Sequence, residues 1–221
     1  MNLPLGDEIW HRVIKSNKLK FGKEKMKIAV FISIIIVIGS LSGCIEESQL
    51  IDEGGIVAPS SPERMSFISP IMGDENNNST LNLQEYVADG PVLLIWVAAG
   101  CKGCHSWTDL ISDEVENGNI SNSSVLSIHR YPSFESPSNV EDAYGENGSN
   151  PVSWILALPP ENTPIIDLDS GQESEYSLYD SFGNPSTPTL QIMDSTGKLI
   201  WTSKTYWATA DVVDEIKNIL K

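Results

Sequence analysis

The candidate chemistry of this chain is concentrated in one ten-residue stretch, Ala98 to Trp107, AAGCKGCHSW. Two of the three cysteines, Cys101 and Cys104, lie in it; the third, Cys44, is far upstream. Cysteines at i and i+3 on a first helical turn bring their sulfurs within bonding reach. Read as C-x-x-C, the stretch is a dithiol that can cycle between thiols and a disulfide. Read with His105 as C-x-x-C-H, it is a c-type haem attachment site, with His105 as proximal ligand and Met193 as a distal candidate. Cys101, Cys104 and a histidine, such as His129, would also suit copper. A structural zinc site needs a second Cys/His pair, and downstream of Cys44 only His105 and His129 are on offer. Spacing alone leaves the first three uses open.

The flanking residues narrow the choice. Val92 to Ala99 (VLLIWVAA) is continuously apolar and β-prone, which predicts a strand buried on both faces at the centre of an α/β sheet. Gly100 breaks it. After Cys104, the apolar residues Trp107, Leu110, Ile111 and Val115 recur at helical spacing, opposite a polar side of Ser106, Asp109 and Asp113. The C-x-x-C therefore falls where a strand hands over to a helix. The partial positive charge and free N–H groups of a helix N-terminus favour a thiolate over a thiol. Cys101 is then the exposed attacking sulfur, and Cys104, one turn in, resolves the mixed disulfide. Lys102 adds local positive charge.

Further strands are predicted at Phe67–Met72, Ser124–Arg130, Pro164–Leu168 and Thr189–Met193. Asp194–Gly197 makes a turn into a hairpin partner, Lys198–Thr202. Val152–Leu158 reads as one or two helical turns, Glu173–Phe182 as a short helix, and Tyr131–Asn150 as a long polar insert. Ala208–Leu220 is a closing helix with Val212, Val213, Ile216, Ile219 and Leu220 on its inner face.

The N-terminus reads as an address. A basic stretch, Lys20–Lys27, precedes the apolar run Ile28–Gly39 and then Leu41-Ser42-Gly43-Cys44. That order is a secretory signal, and its LSGC ending resembles the lipobox of prokaryotic lipoproteins, which makes Cys44 the lipidation site. An uncleaved anchor helix is the other reading, since Ile28–Ile45 is about long enough to span a bilayer. Either way the basic end stays inside and the remainder faces out. Residues 1–43 are thus a signal or anchor, 44–66 a flexible acidic linker, and 67–221 the folded domain. If Cys44 carries lipid, Cys101 and Cys104 are the only thiols left outside. Downstream of Cys44, seven Lys and Arg stand against 27 Asp and Glu, a net charge of −20, which repels phosphate backbones and argues against nucleic acid as a partner. Asn77, Asn78, Asn119, Asn122 and Asn147 each begin an N-x-[ST] triplet in a predicted loop.

A buried strand ending at glycine, a C-x-x-C opening a helix, and a Thr187-Pro188 dipeptide before a strand, hairpin and final helix together resemble the thioredoxin-like superfamily. The lead-in LNLQEYVADGPVLLIWVAA and the D-x-x-G-K turn, Asp194–Lys198, are similar to the membrane-anchored extracytoplasmic TlpA/ResA-type thiol-disulfide oxidoreductases. The resemblance covers about residues 67–221. It implies an α/β fold with a central mixed sheet flanked by helices. It makes Pro188 the cis-proline beside the redox disulfide Cys101–Cys104, with Thr187, Lys102 and Gly103 supporting the site. It implies no cofactor and no metal, exported protein dithiols and disulfides as substrates, and an electron-exchange partner in or outside the membrane.

Against haem, Met193 falls inside a predicted strand, and a buried strand directly before the motif is wrong for a haem-enclosing domain. Against copper, copper chaperones of this fold usually space their cysteines by three residues rather than two. The chain also departs from the family. Gly100 stands where Trp usually precedes the first cysteine. Ile95 and Trp107 stand where the two subgroups place an acid beside the buried thiol. Asp109 and Glu85 are the substitute proton acceptors available from sequence.

Overall fold

The computed structural model describes residues 61–73 and 79–221. The predicted signal or anchor, Cys44, most of the predicted linker, and Asn77 and Asn78 lie outside the described residues.

The central element is β4 (Val92–Val97), in which every residue is buried. It lies between β5 (Val125–His129), to which it is parallel, and β9 (Thr189–Met193), to which it is antiparallel. β6 (Ile155–Ala157) extends the sheet beyond β5 and β10 (Leu199–Ser203) beyond β9, giving the order β10-β9-β4-β5-β6. Alternation along β4 supplies two cores. Leu93, Ile95 and Val97 face a cluster containing Cys104, Trp107 and Ile111 of helix α2 (Lys102–Glu116), and Val213 and Ile216 of α5 (Ala210–Ile219). Val92, Leu94 and Trp96 face a second cluster. It draws on Met65 of β1 (Met65–Ser66), Phe67, Leu81 of β3 (Thr80–Asn82), Leu83 of α1 (Leu83–Tyr86), and Leu178 and Tyr179 of α4 (Leu178–Ser181). Strand β2 (Ile68–Pro70) pairs with β3, and β1 pairs with β7 (Pro164–Asp167), which pairs in turn with β8 (Gln172–Ser177). The mixed sheet, its helices and the placement of the C-x-x-C at the carboxyl end of β4 make the fold thioredoxin-like, as the sequence predicts.

Four boundaries differ from expectation. The domain begins before Phe67: Met65 and Ser66 are buried in β1, and Arg64 bridges to Lys198, so the linker ends earlier than residue 66. The polar insert contains a helix, α3 (Pro137–Tyr144), started by a capping box in which Ser136 and Asn139 bond each other's backbone, with Pro137 in the first turn. The run Val152–Leu158 is not helical; its core forms β6, because the parallel edge of β5 offers it a ladder. The first half of Glu173–Phe182 is strand β8, whose charged residues lie on an exposed hairpin and leave only α4 helical.

The wide aromatic surface of the second cluster depends on one buried polar link. The indole Nε1 of Trp96 donates to Gln191 Oε1 at 2.7 Å, and Gln191 Nε2 donates to the carbonyl of Phe182 at 3.0 Å. Replacing Gln191 by methionine keeps the volume but strands the Trp96 donor in a dry site. The Gln191→Met variant is expected to lose about 1–3 kcal/mol in denaturant unfolding. Adding Trp96→Phe is expected to cost less than the sum of the two single changes, because the orphaned donor is then gone.

Candidate active site

Cys101 is the N-cap of α2: its sulfur accepts the backbone N–H of Cys104 at 3.1 Å. The two cysteines form a disulfide with their Cα atoms 5.2 Å apart. Their environments differ. Cys101 is half-buried at the rim, while Cys104 is fully enclosed in the helix-side core. This is the asymmetry that attacking and resolving sulfurs need.

Pro188 follows a cis peptide bond from Thr187 and is buried, with Thr187 half-buried beside it. Gly103 explains how closely this segment packs. A Cβ on Gly103 would lie 2.5 Å from the carbonyl oxygen of Tyr206 and 3.0 Å from Pro188 Cδ. The loop before α5 therefore rests directly on the first turn of the cysteine helix. Trp107 fastens the same loop from below, its Nε1 donating to the Thr205 carbonyl at 2.8 Å, and the backbone N–H of Ala208 donates to Ser106 Oγ. Tyr206 and Trp207, stacked edge-on, are left exposed, 46% and 57%. Lys102 is exposed at the start of α2.

On the other side, residues 98–100 are bound by Tyr144 and Glu135, which the sequence does not mark as site residues, and by His105 in a role other than the one its motif suggests. Tyr144 of α3 donates its hydroxyl to the Ala98 carbonyl at 2.9 Å. His105 Nε2 donates to the Ala99 carbonyl at 2.9 Å. Glu135 accepts from the N–H of Ala99 at 2.8 Å and of Gly100 at 3.3 Å. His129, only 2% exposed at the end of β5, places its Nε2 3.0 Å from the Glu135 carboxylate. Burial pushes the His129 imidazole below its ordinary value, and the bond to Glu135 offsets that in part, so the neutral ring donates to the carboxylate. The Tyr144 hydroxyl is pushed above its ordinary range, first by burial and then by the carboxylates of Glu135 and Asp109. Arg130 ties the neighbouring loop to the proline segment: its guanidinium donates to the Pro185 carbonyl and to Asn184 Oδ1, and it lies over the Tyr179 ring. Phe134, next to Glu135, is 88% exposed.

Several expectations are corrected here. Asp109 does not serve the cysteines; it is exposed and bonded by Asn150. Glu85 is exposed on α1 and accepts from Asn82 Nδ2. Ile95 and Trp107 lie in the core, as their apolar runs predict. The ring nitrogen of His105 that would face a haem iron is engaged by the Ala99 carbonyl, and Met193 is buried in the opposite core. His129 is turned to Glu135 rather than grouped with the cysteines, and among the described residues no three His, Cys, Asp or Glu side chains are grouped to hold a metal. The signal that could have located Glu135 was the Ser136-Pro137-x-Asn139 helix start immediately after it, followed by Val140, Ala143 and Tyr144 at helical spacing.

No family model matches the chain, and a search of curated proteins finds no match. Among solved structures, a thiol:disulfide interchange protein from Bacteroides sp. is 13% identical with a TM-score of 0.48; the alignment covers 74% of this chain and 90% of that one. The thioredoxin domain of a thiol-disulfide oxidoreductase from Bacteroides vulgatus is 12% identical with a TM-score of 0.46, covering 75% and 99%. The exposed lipoprotein thioredoxin from Streptococcus pneumoniae is 19% identical with a TM-score of 0.45, covering 69% and 98%. Among the described residues no helix is long and apolar enough to cross a membrane.

Two outcomes test the geometry. In Gly103→Ala the gain in helix propensity, about 1 kcal/mol, opposes the cost of displacing the Tyr206 backbone, about 1–3 kcal/mol. A net loss of stability, read by thermal unfolding, is expected. Because His129 titrates lower in the fold than in the unfolded chain, the unfolded chain binds more protons below about 6.5. The stability this histidine contributes is complete above that pH and is lost as pH falls toward the folded value. In denaturant titrations across that window, wild type is expected to lose stability on acidification, with a flatter dependence in His129→Gln.

Proposed function

We propose that the chain is a thiol-disulfide oxidoreductase that exchanges disulfides with exported proteins through Cys101 and Cys104. The observation that carries this reading is a disulfide at a helix N-terminus with one sulfur at the rim and the other enclosed. In the reducing direction, the Cys101 thiolate attacks a partner disulfide. A Cys101–partner bond forms, and one partner sulfur leaves as a thiolate that takes a proton from solvent. Cys104 then loses its proton, attacks the Cys101 sulfur and expels the second partner sulfur. Two electrons have passed to the partner, and an external dithiol donor restores the Cys101–Cys104 pair. Oxidation of a partner is the same sequence reversed.

Pro188 lies beside Gly103, and Thr187 before it gives an extended partner segment a backbone edge to pair with. The outward-facing location and the anchor rest on the basic and apolar N-terminal pattern and on Cys44. A copper or haem role is not favoured by the placement of His105, His129 and Met193 described above.

Insulin reduction with single cysteine variants tests the reading. Cys101→Ser is expected to abolish turnover and form no adduct. Cys104→Ser is expected to abolish turnover while accumulating a mixed disulfide, visible on non-reducing gels and released by dithiothreitol. Turnover at the wild-type rate in both variants would sink the proposal.

A further inference from the structure

We infer that Glu135, held by buried His129, is the positioning residue that sets the reactivity of Cys101, and that its charge biases the pair toward donating electrons. The inference rests on the oxidoreductase reading and adds a direction to it. The carboxylate bonds the N–H groups of the two residues immediately before Cys101, so it sits at the backbone that presents the attacking sulfur. Its place is built rather than incidental. His129 holds one oxygen from the sheet side, and the carbonyls of the same segment are held separately by Tyr144 and His105. At the two positions where the family would place an acid, the chain has Ile95 and Trp107, both in the core.

The charge matters because the thiolate, not the thiol, is the form of Cys101 that attacks. A neighbouring carboxylate disfavours that anion. Destabilising the thiolate destabilises the reduced form, which makes the pair a stronger reductant; strongly oxidising pairs have the opposite property, a stabilised reduced form. The helix N-terminus and Lys102 act in the other direction. The other titratable groups that face the carboxylate or the segment it binds are His129 from β5, His105 from α2, and Tyr144 from α3, with Asp109 beyond Tyr144; the Arg130 guanidinium is turned to Pro185, Asn184 and the Tyr179 ring.

The experiment compares wild type with Glu135→Gln, which keeps the side-chain shape and one acceptor oxygen but removes the charge. Cys101 thiolate absorbance is titrated in a Cys104→Ser background, and the disulfide of the two-cysteine protein is equilibrated with glutathione. Glu135→Gln is expected to lower the Cys101 pKa by about one unit and move the equilibrium about tenfold toward reduced protein, a rise of about 30 mV. Asp113→Asn, which removes one charge from the exposed side of α2, is expected to change neither. Glu135→Ala, losing both charge and bonds, gives a second reading and is expected to shift both quantities the same way. Unchanged pKa and equilibrium in the Glu135 variants, or a shift of the opposite sign, would overturn the inference. If wild-type protein has no disulfide reducible by dithiothreitol, the oxidoreductase reading itself fails instead.

Discussion

The arrangement depends on satisfying the backbone of three residues. Ala98, Ala99 and Gly100 carry the chain out of a strand buried on both faces and into a helix whose first turn must meet solvent. They lie past the end of the sheet ladder and before the helical ladder begins, and buried backbone groups left without partners are costly. The fold supplies partners from four directions: Tyr144 from α3, His105 from α2, Glu135 from the loop after β5, and the N–H of Cys101 returning to Ala98. Those bonds fix where Cys101 emerges. A loop held this firmly presents its sulfur in one place instead of sampling many, which is what an attacking group requires.

The same accounting explains the unusual residues. An acid at Ile95 or Trp107 would approach the buried thiol from within the helix-side core. Here that core is closed by apolar side chains, with Trp107 using its one polar atom to hold the Thr205 carbonyl. The acid arrives instead from outside, on Glu135, where it serves as a backbone acceptor. His105 follows the same economy. Its ring sits edge-on to Tyr144 and its Nε2 closes the Ala99 carbonyl, so the residue that completes a haem motif in sequence is in space a bracket for the cysteine loop.

Much of this was legible in the sequence. The unbroken apolar run of β4, the glycine after it and the helical spacing of Trp107 and Ile111 located the strand-to-helix handover, because both signals are local and strong. Thr187-Pro188 marked the facing segment by its order in the chain. The residues that were not legible act through long-range pairing. Nothing local says that Glu135 meets Ala99, 36 positions earlier. That meeting follows from the parallel register of β4 and β5, which sets His129 beside Val97. The short strand β6 was misread for a related reason: an edge strand of three residues is defined by the ladder it joins more than by its own pattern. Charged β8 was misread because an exposed hairpin tolerates residues that also suit a helix.

The rim is organised differently from the centre. Tyr206, Trp207 and Phe134 project into solvent on either side of the disulfide segment, while the bonds that fix Cys101 run through backbone atoms and enclosed side chains. The three exposed rings take no part in those bonds. The fold thus divides two tasks between different atoms: the exposed rings shape what the rim offers to solvent, and the enclosed bonds set where the disulfide sits.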